Sequence, residues 1–258
     1  METNTLKQFD LTGQVALISG GNRGLGLEMA KALADAGCNV AITARDAKRN
    51  EQAIAELKAL YDLKFISHVC DVTKEEEVKQ AVKYIGKEMG RIDILINSAG
   101  INIRGSIEEL SLKDFEYVQQ VNVTGSWLMC KEVLPFMKKN GYGRILNIGS
   151  MLSIISIKDR TPYATSKGAV LQLTRALALE VAEQKITVNA LMPGPFATEM
   201  NLVLTQDPEK FQSFISKIPM KRWGELHEIR GISLFLCSPA CSFVTGSGFS
   251  IDGGWTVQ

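Results

Sequence analysis

The sequence predicts an α/β fold in which helices cover both faces of one doubly wound parallel sheet. Short β-branched apolar runs alternate with longer amphipathic stretches along the whole chain, a pattern that favours parallel strands joined by helices. The length of 258 residues suits a single domain, because one hydrophobic core can serve up to about 250–300 residues. We therefore expect one domain over residues 1–258.

The seven predicted strands are short apolar runs, at 15–18, 40–43, 65–69, 94–96, 144–148, 186–191 and 248–251. The segments between them have the length and periodicity of helices, at about 24–36, 46–61, 74–89, 111–139, 161–183 and 225–237. Neither a repeat nor a linker-like composition interrupts this series. The alternation is typical of βαβ units, in which each helix connects two parallel strands.

The least regular part of the chain lies at about 194–224. It carries Pro195, Pro208 and Pro219 around an apolar run at 211–218, and it is too long for a simple connection between two elements. One interpretation is a lid over a substrate pocket. The other is an extra surface helix with no gating role.

The composition argues against several classes of partner. The formal net charge is +1, with 45% hydrophobic and 22% charged residues, so no charge excess indicates nucleic acid or an anionic membrane. No apolar run reaches the ~18 residues of a membrane span, and the N-terminus lacks the pattern of a secretion signal. We expect a cytoplasmic protein that acts on a small molecule. Five scattered cysteines without a CxxC pair, and only two histidines, predict packed, reduced thiols and no metal site.

A glycine-rich loop, residues 19–26, joins the first strand to a helix. Glycines let backbone N–H groups approach a pyrophosphate, and the helix dipole favours the negative charge there. The position after the first strand of a βαβ unit distinguishes this loop from an ordinary turn. The loop predicts a bound dinucleotide, with contacts from Gly20, Asn22, Arg23, Gly24, Leu25 and Gly26.

The end of the second strand carries no acid for the adenosine ribose, although an NAD enzyme would present one about twenty residues after the loop. Ala44 and then Arg45 stand at that place. Arg45 and Arg23 together could bracket a 2′-phosphate, which makes NADP(H) the favoured cofactor and NAD(H) the alternative. A pair of solvated surface arginines is the other interpretation, and Asp46 beside Arg45 weakens the phosphate interpretation slightly.

Tyr163 and Lys167 lie four residues apart on the predicted helix at 161–183. Residues at this spacing share a helix face, so the phenol and the ammonium can point into one cleft. A neighbouring cation favours tyrosinate and adapts a phenol of pKa ~10 to acid/base catalysis. The YxxxK pattern alone is common by chance, but Ser150 closes the fifth strand thirteen residues earlier, where strand ends line the ligand crevice. Its hydroxyl could stabilise a substrate oxygen.

The Gly-x3-Gly-x-Gly loop, followed in order by Ser150 and the YxxxK pair, resembles the short-chain dehydrogenase/reductase family, and the resemblance covers nearly the whole chain. It implies a Rossmann-type sheet and hydride transfer between a nicotinamide and a carbonyl or alcohol. It also implies a catalytic set of Asn122, Ser150, Tyr163 and Lys167, in which the backbone carbonyl of Asn122 holds a proton-relaying water. Alternatively, Asn122 simply bonds a neighbouring backbone group.

The resemblance assigns further cofactor contacts. Asp71, followed by Val72, would meet the adenine amine, unless Asp71 is only an acid near a helix N-terminus. Residues 97–100 resemble the family's Asn-Asn-Ala-Gly, with serine in the second position. The remaining implied cofactor contacts are Asn97, Ala99, Gly100, Tyr163, Lys167, Pro193, Gly194 and Thr198.

Substrate contacts lie in the segments least constrained by motifs. We predict contacts from Arg104, Ser150, Met151 and Tyr163, with Ile103, Arg160, Phe196 and Met200 as further candidates. A guanidinium at the cleft mouth would suit a carboxylate or a polyhydroxy substrate, and a solvated surface arginine is the alternative for Arg104.

Three segments, 100–104, 148–151 and 218–224, resemble family members that interconvert gluconate and its 5-keto form. The overall resemblance to 3-oxoacyl carrier-protein reductases is almost as good, although Gly141 and Gln184 stand where those enzymes have basic residues. A catalytically silent dinucleotide sensor would require a broken catalytic set, and the sequence keeps all four residues. The resemblance also implies a homo-oligomer, a tetramer that pairs through the helices at 111–139 and 161–183.

Overall fold

A computed structural model of the chain describes residues 4–199 and 208–257. Within these residues the predicted strands all form, and each begins and ends within about two residues of its predicted bounds. They are β1 (Val15–Ser19), β2 (Asn39–Ala44), β3 (Phe65–Val69), β4 (Ile94–Asn97), β5 (Gly143–Ile148), β6 (Ile186–Pro193) and β7 (Gly248–Ile251). All of them pair in parallel in one sheet of order β3-β2-β1-β4-β5-β6-β7.

Helices connect the strands. They are α1 (Gly24–Asp35), α2 (Ala47–Leu60), α3 (Glu75–Met89), α4 (Leu112–Gln119), α5 (Gly125–Asn140), α6 (Thr161–Val181), α7 (Pro208–Ser216) and α8 (Arg230–Cys237). The helix predicted over 111–139 is divided into α4 and α5 by a π-helical turn, Gln120–Thr124. A 3₁₀ turn, Leu226–Ile229, leads into α8.

Strand β1 shows why each strand is an unbroken run of apolar residues in the sequence. Ala16 and Ile18 belong to one hydrophobic cluster, with residues of α1 and α8. Leu17 belongs to a second cluster on the other face, with residues of α3, α5 and α6. Because successive side chains of a strand point to opposite faces, both faces of the sheet need apolar residues. The doubly wound α/β fold is thereby confirmed.

The direction of the strand order reverses between β1 and β4. These two strands are parallel neighbours, so their carboxyl ends lie at the same edge of the sheet. In open α/β sheets, ligands bind in the crevice outside this edge. The glycine loop follows β1, and Ser150 follows β5, so both lie at this edge. The fold therefore brings the predicted cofactor loop and the predicted catalytic residues together.

Part of the predicted lid is helix α7. Its residues Phe211, Phe214 and Ile215 pack on a small cluster that includes Met151 and Tyr163. Residues 200–207, among them the candidate liner Met200, lie outside the described residues. The apolar run at 211–218 thus packs on the same small cluster as the first residues of α6, and the lid stays a prediction.

None of the helices in the described part of the chain combines the length and apolar character that a membrane crossing requires. The five cysteines are buried, free thiols, as the sequence predicts.

Candidate active site

A cleft of about 910 Å³ opens at the carboxyl ends of the strands. Its size lies within the range of about 300–1,000 Å³ that is usual for small-molecule sites. Its walls contain most of the predicted cofactor contacts, namely Gly20, Asn22, Arg23, Gly24, Leu25, Gly26, Arg45, Asp71, Val72, Ala99, Gly100, Tyr163, Lys167, Pro193, Gly194 and Thr198. The motifs singled out in the sequence therefore share one surface.

At two positions of the loop, neighbouring backbone lies so close that only glycine fits. Gly20 has φ of 69°, and a Cβ there would lie 2.8 Å from the backbone of Ala99. A Cβ at Gly26 would overlap the carbonyl oxygen of Gly20. Arg23 precedes α1 and makes no side-chain capping bond, which leaves the first-turn N–H groups for an anion. The loop has the form of a pyrophosphate cradle.

Asn22 links this loop to the second strand. Its Nδ2 donates to Oδ1 of Asn50 at 2.9 Å, and Nδ2 of Asn50 donates to the carbonyl oxygen of Ala44 at 3.1 Å. Asn50 is almost fully buried. Asn22 therefore fixes the position of the loop relative to the end of β2.

Arginines gather at the end of the cleft beyond β2. Arg45 donates from Nη1 to the hydroxyl of Tyr117 at 2.7 Å. Asp46, which weakened the phosphate interpretation, instead caps α2, because its Oδ1 accepts from the backbone N–H of Arg49 at 3.0 Å. Arg49 also lines the cleft. Sequence reasoning missed Arg49, although its place in the first turn of α2, directly after Arg45, could have indicated it.

Asp71 lines the cleft after β3. Its Oδ1 accepts from both the backbone N–H and the hydroxyl of Thr73, at 3.0 and 2.9 Å. The residue that precedes α3 is Lys74, so Asp71 does not cap that helix. Its carboxylate is thus held at the cleft wall by a local turn.

Asn97 lies at the end of β4. It does not lie in the cleft wall, and its side chain is buried, with Nδ2 donating to Oδ1 of Asn147 at 2.9 Å and to the carbonyl oxygen of Ser126 at 3.4 Å. These bonds tie β4 to β5 and α5. A buried amide needs such partners, so the Asn97 side chain fixes the end of β4, and its contact with the cofactor stays a prediction.

Ser150 and Tyr163 form the polar centre of the cleft. Ser150 begins a 3₁₀ turn, where its Oγ accepts from the backbone N–H of Leu152 at 3.1 Å. Burial raises the pKa of Tyr163, while a hydrogen bond with Ser150 and the charges of Arg104 and Arg160 oppose that shift without reversing it. The phenol is therefore protonated at neutral pH.

Lys167 is 5% exposed. Its Nζ donates to the carbonyl oxygen of Ile148 at 2.6 Å and lies 5.5 Å from the ring centroid of Tyr163. Burial lowers the pKa of Lys167 to about 8. Burial is the largest cause of the pKa shifts of both Tyr163 and Lys167, and the expected effect of Lys167 on the phenol stays a prediction.

Asn122 lies in the π-helical turn between α4 and α5. Its Oδ1 accepts from the backbone N–H of Ile101 at 2.9 Å, and its Nδ2 donates to the carbonyl oxygen of Ile101 and to Oγ of Ser166. Its own carbonyl accepts from Oγ of Ser126 at 2.8 Å. The side chain thus follows the alternative interpretation, bonding to backbone, and it ties the turn to α6.

Of the predicted substrate contacts, Ser150 and Tyr163 line the cleft, whereas Met151 and Arg104 are not part of its wall. Met151 is buried in a cluster with Trp223 and Trp255, on which α7 packs. Arg104 and Arg160 are half-buried, and the charges of both act on Tyr163. Burial and the Arg104 charge lower the pKa of Arg160, so the two guanidinium groups lie close enough to repel each other. The loops that carry them meet where the N–H of Gly105 donates to the carbonyl oxygen of Asp159 at 3.3 Å.

Comparisons with known proteins agree with this geometry. A family model described as enoyl-(acyl carrier protein) reductase matches residues 20–256. Gluconate 5-dehydrogenase of Gluconobacter oxydans is 39% identical over 97% of each chain. A rhamnolipid-biosynthesis 3-oxoacyl-[acyl-carrier-protein] reductase of Pseudomonas aeruginosa is 33% identical over 96% of this chain and 98% of its own.

The solved structure of a gluconate 5-dehydrogenase from Burkholderia cenocepacia, in complex with NADP and tartrate, superimposes with a TM-score of 0.95. It is 33% identical, and the match covers 99% of this chain and 100% of the other. The family model and these relatives span almost the whole sequence. The chain therefore belongs to the short-chain dehydrogenase/reductase family.

Proposed function

We propose that this protein is an NADP(H)-dependent oxidoreductase that interconverts a secondary alcohol and a ketone, with gluconate and 5-ketogluconate, or a related sugar acid or polyol, as its substrates. The observation that carries the proposal is the position of Ser150, Tyr163 and Lys167 in the wall of one cleft with the glycine loop. The relatives named gluconate 5-dehydrogenase support the substrate class.

The residues of the cleft fit a dinucleotide. The glycine cradle and the uncapped start of α1 suit a pyrophosphate, and Arg23, Arg45 and Arg49 suit a 2′-phosphate. Asp71 would face the adenine, and Pro193, Gly194 and Thr198 the nicotinamide end. NADP in the solved relative from Burkholderia cenocepacia supports this choice of cofactor.

The bound nicotinamide supplies or accepts the hydride. In reduction, the hydroxyl groups of Ser150 and Tyr163 donate hydrogen bonds to the carbonyl oxygen and stabilise the charge that develops there. Tyr163 then gives its proton to that oxygen. The ammonium of Lys167 would return a proton towards Tyr163, through a water held by the backbone carbonyl of Asn122. In oxidation, the proton moves from the alcohol to Tyr163.

Arg104 and Arg160 favour an anionic substrate. The charges of both guanidinium groups act on the reacting phenol, and each guanidinium can bind a carboxylate in a fork geometry. Tartrate, found with the relative from Burkholderia cenocepacia, is a dicarboxylate. A sugar acid would place its carboxylate between these arginines and its ketone at Tyr163.

A 3-oxoacyl carrier-protein reductase is the second candidate, because one such enzyme is 33% identical to this chain. At two positions where those enzymes use basic residues against the acidic carrier, this chain has Gly141 and Gln184. The Oε1 atom of Gln184 is buried, so it offers little to a docked protein. The positions nearest to them, Lys138, Lys139 and Lys185, keep some positive charge on this face.

We further propose a cytoplasmic homotetramer in which a single domain carries a lid at about 194–224. Exposed apolar side chains on the two long helices support pairing through them, since Trp127 on α5 is 48% exposed and Leu179 on α6 is 84% exposed. Subunit pairing would remove such surface from water.

The two candidate reactions are separated by NADPH consumption with 5-ketogluconate and with an acetoacetyl thioester, each repeated with NADH. We expect turnover of 5-ketogluconate with NADPH, and slower turnover of the thioester. Preferential use of the thioester would select the carrier-protein reductase. Tight binding of NADPH without consumption on a broad panel of carbonyl compounds would select a silent dinucleotide sensor.

Arg104→Gln is expected to raise the KM for 5-ketogluconate by about ten- to a hundredfold, because a hydrogen bond between charged groups contributes about 1.5–3 kcal/mol. The KM for NADPH should stay within about twofold of wild type. Arg175→Gln, on the exposed face of α6, is the matched control and should change neither constant. An equal loss with an uncharged ketone would show that Arg104 does not bind a carboxylate.

A further inference from the structure

One carboxylate joins the arginines at the adenosine end of the cleft. Oε2 of Glu199 accepts from Nη1 of Arg23 at 2.7 Å and from Nη1 of Arg49 at 3.0 Å. Both arginines and Glu199 line the cleft. Arg23 belongs to the glycine loop and Arg49 to α2, so a single oxygen atom bridges the two elements that enclose this end of the site.

The arrangement imitates a bound phosphate oxygen. Two guanidinium groups that converge on one point repel each other unless an anion lies between them, and Glu199 supplies that anion. The guanidinium of Arg49, with that of Arg23, lowers the pKa of Glu199, so the carboxylate is charged at neutral pH. Arg45 takes no part, since its Nη1 donates to Tyr117.

The segment that carries Glu199 lies against the glycine loop. Thr198 lies beside Gly24, because a Cβ added to that glycine would be 3.9 Å from Cγ2 of Thr198. The next residue, Glu199, forms the ion pair with Arg23. The sequence offers this contact no local signal, because the paired residues are 176 positions apart. The stretch after β6 therefore touches the pyrophosphate cradle and the arginines together.

We propose that Glu199 is a specificity-determining residue that competes with the 2′-phosphate of NADP(H) for Arg23 and Arg49. This inference rests on the proposed function only in requiring that a nicotinamide dinucleotide binds in the cleft. A 2′-phosphate carries up to about two negative charges and three acceptor oxygens, whereas Glu199 offers one charge. NADP(H) can therefore displace the carboxylate, but it must break both ion pairs, and NAD(H) need break neither.

The competition predicts a definite change in cofactor preference. Exposed ion pairs are individually weak, and Arg23 and Glu199 are 58% and 61% exposed. Glu199→Gln removes the charge and should lower the Kd for NADPH by about three- to tenfold. The Kd for NADH should stay within about twofold. The ratio of the Kd for NADH to the Kd for NADPH should therefore increase.

The experiment measures the Kd of NADPH and of NADH by fluorescence titration of the full chain without substrate. Glu75→Gln is the matched control, because it breaks an exposed ion pair, with Lys131 at 2.8 Å, outside the cleft. Arg49→Gln should raise the Kd for NADPH about tenfold and spare NADH. In the Arg23→Gln/Arg49→Gln background, Glu199→Gln should have no effect.

Three outcomes would overturn the inference. They are an unchanged NADPH/NADH ratio in Glu199→Gln, a weaker binding of NADPH in that variant, or the same gain in the background that lacks both arginines. A wild-type chain that binds neither NADPH nor NADH would instead refute the proposed function. Because each variant is compared with wild type for both cofactors, the two failures are distinguishable.

Discussion

Tyr163→Phe is expected to lower kcat for the reduction of 5-ketogluconate by about 10²–10⁴-fold, the usual contribution of a positioned acid/base group. The variant loses the hydroxyl that gives a proton to the substrate oxygen. It keeps the ring, which packs with Met151, Leu152 and Trp255, so the fold and the cleft should persist. Fluorescence titration should show a Kd for NADPH within about twofold of wild type.

The pH profile separates this role from a merely structural one. Burial raises the pKa of Tyr163, so the wild-type enzyme keeps its proton donor at neutral pH and should lose reduction only in the alkaline range. The residual activity of Tyr163→Phe should lack that alkaline decline. Tyr84→Phe, on α3 outside the cleft, is the matched control. Wild-type turnover in Tyr163→Phe would end the assignment of Tyr163 as the acid/base group.

The fold was predictable because its signals are local. Each strand is an apolar run closed by polar or turn residues, and the glycine loop carries its own reason for following β1. The π-helical turn around Asn122 was not predictable from periodicity. It depends on the hydrogen bonds of Asn122 with Ile101 and Ser166, which join segments far apart in the sequence, and these contacts override the local preference for an uninterrupted helix.

In the candidate site too, some features follow from local spacing and others depend on residues far apart in the sequence. Tyr163 and Lys167 share a helix face through their spacing alone, so sequence reasoning could place them together. The ionisation of Tyr163 could not be derived from that spacing, because burial raises its pKa against Ser150, Arg104 and Arg160. The neighbour of Arg23 could not be derived either, since Glu199 reaches it only through the path of the chain after β6.

Lys167→Met is expected to abolish most turnover and yet to stabilise the folded protein at pH 7. The ammonium is 5% exposed, and burial lowers its pKa to about 8, against ~10.4 for an unfolded chain. Below pH 8 the lysine is charged in both states, so the native state bears the full cost of burying the charge. A drop of about 2.4 pKa units corresponds to about 3 kcal/mol.

The sign of the pH dependence follows from this pKa. Between pH 8 and about 10.5 the native lysine is neutral while the unfolded one still binds a proton, so wild-type stability rises with pH and the advantage of Lys167→Met shrinks. The variant also leaves the carbonyl of Ile148 without its donor, at a cost of about 1–3 kcal/mol. We therefore expect a net gain of up to about 2 kcal/mol in the free energy of unfolding at pH 7.

Denaturant unfolding of wild type and Lys167→Met at pH 7 and pH 10 measures this difference directly. Lys83→Met, at an exposed position of α3, controls for the general effect of removing a lysine. A variant that is less stable than wild type at pH 7, or whose advantage does not depend on pH, would contradict the argument. The expected pairing of lost activity with gained stability reflects the physical requirement of this site. The ammonium that serves catalysis beside the reacting phenol is buried, and its burial lowers the stability of the fold.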